Sequence, residues 1–238
     1  MPPPWPTWSR SLYTADELMA VVISRRLRDG ERVGVGVNSP IPTLGVLLAR
    51  ASHAPQLRLR LPGSREGEAF LGSKEFFDMA QRGKIDVFFL SGVQVDRRAR
   101  INLHVLGDYA HPRRRFAGAF GSAVLYPVIP RVMLFRTEHS PRTLVEAVDF
   151  VTAAGTPDCL VTPKALLTFA EGELELASYS PGESVNSVRA ATGWDLRVRA
   201  DVHQTPPPTA AELDLLQGPV REQVAEVYQR YVAAMVSS

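Results

Sequence analysis

Three segments rich in glycine, serine and asparagine carry the residues best suited to chemistry. In "GVGVNSPIPTLG" (34–45) an apolar run passes into an amphipathic one through Asn38 and Ser39. Backbone N–H groups and the positive end of a following helix suit an anion or a thioester oxygen there. The segment matches neither GxGxxG nor the P-loop pattern, and a plain turn is the competing reading. "LSGVQVD" (90–96) ends a strand at Ser91-Gly92 and then sets Gln94 and Asp96 on one side of an extended chain. Open α/β sheets bind ligands outside the carboxyl ends of their strands. "RRRFAGAFGSA" (113–123) joins Arg113, Arg114 and Arg115 to Gly118, Gly121 and Ser122. Small residues admit a ligand close to the backbone, and arginines can meet phosphate groups. For the arginines a solvated charged loop is an equal alternative. No helix aligns His104 with His111, so no metal site is expected. No serine sits in a GxSxG context.

Composition narrows the class. The chain has 238 residues, which suits one large domain or two small ones, and 45% of them are hydrophobic, enough for a sizeable core. The net charge is +2, and Arg rather than Lys dominates the 27 basic residues, which favours discrete anion sites over nucleic-acid binding. A single cysteine, Cys159, excludes an internal disulfide framework and points to a reducing, cytoplasmic setting, with Cys159 itself a buried small hydrophobe. No apolar run approaches the ~18 residues of a membrane span, and "MPPPWPTW" lacks the build of a signal peptide, so no membrane association is expected.

The elements that must position these segments follow from periodicity. Thr14 and Glu17 form a capping box, and Leu18, Val21, Val22 and Leu27 predict a helix stopped at Asp29-Gly30. A buried strand is expected over 31–37, a loop over 38–42, and a second helix over 43–51. "LRLRL" (57–61) alternates as a strand, 73–83 reads as a short helix, and "IDVFFLSG" (85–92) as a continuous apolar strand. Residues 95–102 and 108–123 read as Arg-dense loops, and 131–138 as a strand. "TLVEAVDFVTAAG" reads as helix or extended chain, with strands at 159–162 and 165–169. A "TPPP" linker (205–208) precedes a helical tail at 209–235. Phe76, Phe77, Phe88 and Phe89 are assigned to the core. Strands alternating with helices imply an α/β fold: an open mixed or parallel sheet layered by helices in a single domain, with a Pro-rich arm over 1–12.

In this order, "ADELMAVVISRRLRDGERVGVG", "LSGVQVD....IN", "LGDYAHPRRRFAGAFGSA", "EAVDFVTAAG", "LVTPKALLTF" and "ATGWDL" resemble the B (β) subunit of the family I CoA-transferases, most closely the glutaconate CoA-transferase type. The resemblance implies an open α/β sheet and a separate A-type subunit of related fold. It places the active site between the two subunits and implies a hetero-oligomer such as a dimer of AB dimers. It also implies a coenzyme A thioester as substrate and no permanently bound cofactor. In working members a glutamate of the B-type chain attacks the thioester, giving an anhydride and then an enzyme-CoA thioester. Aligned through "HAPQLRLRL", that position falls at Pro62, which can neither attack nor carry charge. The usual Gly-Asn after Gln-x-Asp is Ala99-Arg100 here, and Phe120 and Ser122 stand in the small-residue loop.

Three explanations follow. Glu66 or Glu68 in "SREGE" serves as nucleophile by a different loop path, a shift of ~13 to 20 Å if extended. Alternatively, transfer has given way to carbon-carbon chemistry on a carboxylated or cyclic acyl-CoA. Relatives that resemble this family include a hydrolase opening a ring of steroid-derived CoA esters and a decarboxylase of methylglutaconyl-CoA. The third is a non-catalytic scaffold or regulatory subunit that binds acyl-CoA. The favoured assignment is the second, with Asn38, Ser39 and the 118–122 loop holding the thioester and its developing oxyanion. Gln94 and Gly92 would orient the substrate, and Arg113, Arg114 and Arg115 would form a phosphate patch.

Overall fold

The computed structural model describes residues 12–62 and 72–236. Helix α1 (Ala15–Arg26) starts at the expected capping box, with Glu17 N–H on the Thr14 hydroxyl and Thr14 N–H on the Glu17 carboxylate. Every residue from Glu17 to Ser24 is buried, as a helix covered on all sides must be. It ends at Arg26, earlier than the glycine predicts, and Gly30 instead serves the following turn at φ 76°.

Strand β1 (Arg32–Gly34) is shorter than predicted, and α2 (Pro40–Ser52) begins within the segment read as a loop. The prolines allow this, because residues of a first helical turn have no intrahelical acceptor for their N–H. Strands β2 (Arg58–Arg60) and β3 (Val87–Leu90) flank β1 on either side, both parallel to it. Helix α3 (Ser73–Gln81) lies between them in sequence. Beyond β3 come β8 (Arg131–Phe135) and β10 (Cys159–Val161), again parallel, so five parallel strands run β2-β1-β3-β8-β10. The hairpin strands β11 (Ala165–Ala170) and β12 (Glu173–Tyr179) are antiparallel to their predecessors, and β13 (Arg197–Gln204) closes the eight-stranded mixed sheet. Neither β12 nor β13 was anticipated.

Alternation along the strands divides the core. Val87 and Phe89 join α1, α2 and the tail on one face, while Phe88 and Leu90 join α3 and α4 (Ser122–Val128) on the other. Covering both faces explains the unbroken apolar run of β3. Cys159 is buried as expected, and burial pushes its thiol up to about 12, so it is no thiolate.

The segments read as Arg-dense loops contain short strands. Here β4 (Gln94–Asp96), β5 (Ile101–Asn102) and β9 (Leu144–Val145) form a three-stranded sheet, and β6 (Val105–Leu106) pairs with β7 (Arg114–Arg115). "TLVEAVDFVTAAG" is accordingly extended, with Ala153 bridged to Ile101. Helix α5 (Val185–Ala190) precedes β13. The tail opens at Thr209 with a second capping box and runs through α6 (Ala210–Leu215), a π-helical turn at Leu216–Val220, and α7 (Arg221–Val236). Arg221 and Gln217 both reach the buried Glu17 carboxylate at 3.2 Å, and Arg25 binds Glu212 and the carbonyls of Pro206 and Pro207. No helix among the described residues is long and apolar enough to cross a membrane.

Helices α1 and α2 cross at Gly45, where an added Cβ would lie 2.6 Å from Ile23 Cγ2 and 2.8 Å from the Ala20 carbonyl. Gly45→Ala is expected to destabilise the chain by about 1–3 kcal/mol through overpacking. Urea unfolding at equilibrium measures this, and an unchanged midpoint would mean that the two helices separate freely.

Candidate functional site

The strand order sets the location. From β1 the chain runs outward through α2 to β2, then returns past β1 to β3 and continues the other way. Such a reversal leaves a crevice beyond the carboxyl ends of two adjacent parallel strands. A cavity of 310 Å³ lies there, lined by Gly36 to Ser39 after β1, Phe88 to Ser91 of β3 and its end, and Phe135 at the end of β8. Leu103, Ala119, Phe120 and Ser122 complete the lining.

The 34–45 loop and the small-residue loop therefore meet, bringing Asn38, Ser39 and Ser122 to one cavity with Ser91 from the third segment. Ser39 and Ser122 are buried. The Ser39 carbonyl accepts from the Thr43 N–H at 3.1 Å and from its hydroxyl at 2.9 Å, which fixes the helix start. The Ser122 hydroxyl donates to the Ala119 carbonyl at 2.5 Å, so it is left to act as an acceptor. Because residues 40 and 42 are prolines, only Ile41 among the first three residues of α2 brings an N–H.

Other predicted residues stand elsewhere. Gln94 is buried, and its amide oxygen is taken by Asn102 Nδ2 at 2.8 Å and Asp149 N–H at 3.0 Å. Asn102 also receives the His104 N–H at 3.0 Å and donates to the Val105 carbonyl, so Gln94 orients the turn that carries Leu103. Gly92 permits a close backbone crossing, since a Cβ would meet the Gln94 carbonyl at 2.7 Å. Asp96 is fully buried and collects the Arg98 and Arg100 N–H groups and the Arg100 guanidinium, a clamp on its own turn. Gly118 and Gly121 hold φ values of 108° and 70°, and the Phe77 ring occupies the space a Gly121 side chain would need. Neither lines the cavity. Arg113, Arg114 and Arg115 are exposed and also lie outside the lining. Arg114 stacks over Phe116, Arg115 over Tyr109, and Arg113 lies 3.7 Å from Asp149. Glu66 and Glu68 fall outside the described residues, while Pro62, half-buried, follows the buried Leu61 at the end of β2.

Sequence reasoning missed Tyr228. At a kink in α7 (φ −122°, ψ 50°) its hydroxyl donates to the Gly36 carbonyl at 3.3 Å and accepts from the Ser39 N–H at 3.5 Å. Burial raises its pKa, against the lowering effect of Thr43 and Ser39, so it stays a neutral donor. A second cavity of 460 Å³ is lined by Asn38, Pro40 and residues 226–231 around this kink. Nothing in the tail's apolar repeat marks Tyr228. His139 was missed as well. It is buried between the hydroxyls of Thr162 at 2.8 Å and Thr192 at 3.1 Å, tying the chain after β8 to the "ATGWDL" segment.

A strand reversal, a cavity at that reversal and a polar rim of amide and hydroxyl groups define an α/β protein of the ligand-crevice type. Residues 62–190 match the family described as Coenzyme A transferase, and the chain belongs to that family as a B-type subunit of its family I branch. It is 28% identical to the B subunit of the 3-oxoadipate CoA-transferase of Pseudomonas knackmussii, over 87% of this chain and 93% of the relative. It is 25% identical to the B subunit of the glutaconate CoA-transferase of Acidaminococcus fermentans, over 84% and 91%. Among solved structures, the decarboxylase AibA/AibB superposes with a TM-score of 0.79 at 25% identity, covering 94% of this chain and 99% of the other.

Two outcomes are expected. Tyr228→Phe removes both of these hydrogen bonds, and loss of the one from the Ser39 N–H, worth about 0.5–1.5 kcal/mol, should speed amide hydrogen exchange at Ser39 roughly 2- to 10-fold without unfolding the chain. Burial and, secondarily, Lys164 push His139 down to about 4. The unfolded chain therefore takes up this proton first, and stability falls as pH drops from ~6.5 toward 4. Denaturation at pH 7 and 4.5 should show wild type losing about 2–3 kcal/mol more than His139→Gln on acidification.

Proposed function

We propose that this chain is the B subunit of a heteromeric enzyme that acts on a carboxylated or cyclic acyl-CoA by carbon-carbon bond hydrolysis or decarboxylation in place of CoA transfer. The observation that carries this reading is the character of the crevice. Among the described residues its lining offers an amide and three hydroxyls, from Asn38, Ser39, Ser91 and Ser122, and no carboxylate. A ping-pong transferase needs a carboxylate to form the anhydride, and the resemblance to the family implies that its position falls at Pro62. The likeness to a solved decarboxylase over nearly the whole chain is in keeping with this change of chemistry.

Both reactions share one demand. In decarboxylation the bond to the carboxylate breaks, CO₂ leaves, and the electron pair delocalises onto the thioester oxygen until the α-carbon takes a proton. In hydrolytic ring opening, water adds to a ring carbonyl, the bond to the α-carbon breaks, and the same enolate forms and is protonated. Fixed donors around the thioester oxygen stabilise that charge once a docked partner excludes water from the crevice. Asn38 Nδ2 and the Ser39 and Ser91 hydroxyls serve as these donors, and the acid-base groups come in part from an A-type subunit.

An exposed apolar rim supports such a partner. Val37 lines the cavity yet is 66% exposed, and Val124 and Val128, four residues apart on α4, are 41% and 38% exposed. Exposed apolar side chains beside a crevice suit the surface of another chain. It would seal the cavity on docking.

The test is to co-express the chain with its A-type subunit, incubate the complex with acyl-CoA, trap with borohydride or hydroxylamine, and map the peptides. Substrate shortened or opened without an adduct is the expected result. A modified Glu66 or Glu68 would make the complex a true CoA-transferase whose nucleophile has moved along the loop. Acyl-CoA bound without turnover or adduct would favour the scaffold or regulatory role. In the active complex, Asn38→Ala is expected to lower kcat roughly 10²-fold, the usual cost of one oxyanion donor.

A further inference from the structure

The walls of the crevice bear on what it holds. Below the polar rim, Phe88, Phe89, Leu90, Leu103 and Phe135 present carbon, and no charged side chain lines the cavity among the described residues. A buried carboxylate without a cation or a full set of donors is strongly disfavoured, whereas an apolar group gains by leaving water. Aromatic and aliphatic walls around ~300 Å³ suit a compact apolar body.

Phe120 is the unusual member of the lining. It is one of three non-glycine residues with positive φ among the described residues, at 34°, a conformation costly for a bulky side chain. It is 65% exposed, so its ring gains little from burial within the chain, and its ring partner is Phe77 at 5.8 Å. Strain of this kind persists where the surroundings impose it and clusters at ligand sites. Gly118 and Gly121 on either side, both at positive φ, allow the turn that sets the ring at the cavity.

Resting on the proposed acyl-CoA reading, we infer that the cavity takes an uncharged, apolar acyl group of ring size, and that Phe120 is its specificity-determining outer wall. This selects the cyclic class of substrate over a chain ending in a second carboxylate. The acyl ring packs against Phe120 and the Phe88–Phe135 wall, with the thioester at the Asn38–Ser39 rim.

Isothermal titration of the full chain, co-purified with its A-type subunit, tests this with CoA, benzoyl-CoA and glutaryl-CoA. Benzoyl-CoA should bind at least about 10-fold more tightly than glutaryl-CoA. Phe120→Ala should lower benzoyl-CoA affinity by about 5-fold or more and leave CoA and glutaryl-CoA within about twofold. Phe120→Gly relieves the positive φ, so its Tm should equal or exceed that of wild type while the benzoyl preference still falls. Glutaryl-CoA binding as tightly as benzoyl-CoA, or a preference unchanged in both variants, overturns the inference and leaves the acyl-CoA reading intact. Failure of all three ligands to bind overturns the reading and the inference together. A marked loss of Tm in Phe120→Gly would make the residue a packing element and would equally overturn its assigned role.

Discussion

Strands β1 and β3 lie side by side and parallel, yet the chain leaves their carboxyl ends toward opposite edges of the sheet. Main-chain hydrogen bonding fixes the strands, while the diverging connections leave the space beyond their ends unfilled by backbone. The rest of the molecule is arranged about that gap. Helices α1 and α2 fill one face below it, and α3 and α4 fill the other. The loops from β1, β3 and β8 supply its walls because each strand happens to end there.

Polar groups away from the gap serve mainly to keep those loops still. Asp96 closes its own turn, Gln94 and Asn102 lock each other, and His139 bridges two threonines. Buried polar side chains are costly unless every bond is made. Once satisfied, they admit few alternative arrangements, which is what precise walls require. Tyr228 does the same for the loop after β1 from a distant part of the sequence.

The sequence was most legible where one side chain decides a local matter. Thr14 with Glu17 announced α1, and "IDVFFLSG" announced a strand covered on both faces. Pro40 and Pro42 misled, because proline in a first helical turn looks like a loop. The short strands β4 to β7 were hidden by arginines: Arg97, Arg98 and Arg100 lie in the turn that joins β4 to β5, and the exposed Arg114-Arg115 pair through their backbone with Val105-Leu106. Of the site, Asn38, Ser39 and Ser122 were singled out on two separate loops, and the fold brings both loops to one cavity. Gln94 was read as facing a ligand because alternation gives a side, and nothing in one strand says which side is interior. Leu103 and Tyr228 reach the loop or the cavity only through contacts distant in sequence, which periodicity does not register. The carboxylates Glu66 and Glu68 fall outside the described residues.

The bond from Tyr228 to the Gly36 carbonyl spans 192 positions, and that from Tyr231 to Asp16 spans 215. On a ribosome, the loop after β1 would emerge 192 positions ahead of its tether and wait for that stretch to be made. Contacts of such sequence separation form late in folding, after the local elements have settled. The crevice would therefore be roughed out by strands β1 to β3 and given its final contour only when α7 is made. Chains not yet extended through α7 would carry the sheet but a loosely held loop, and shaping of the site would be coupled to synthesis of that helix.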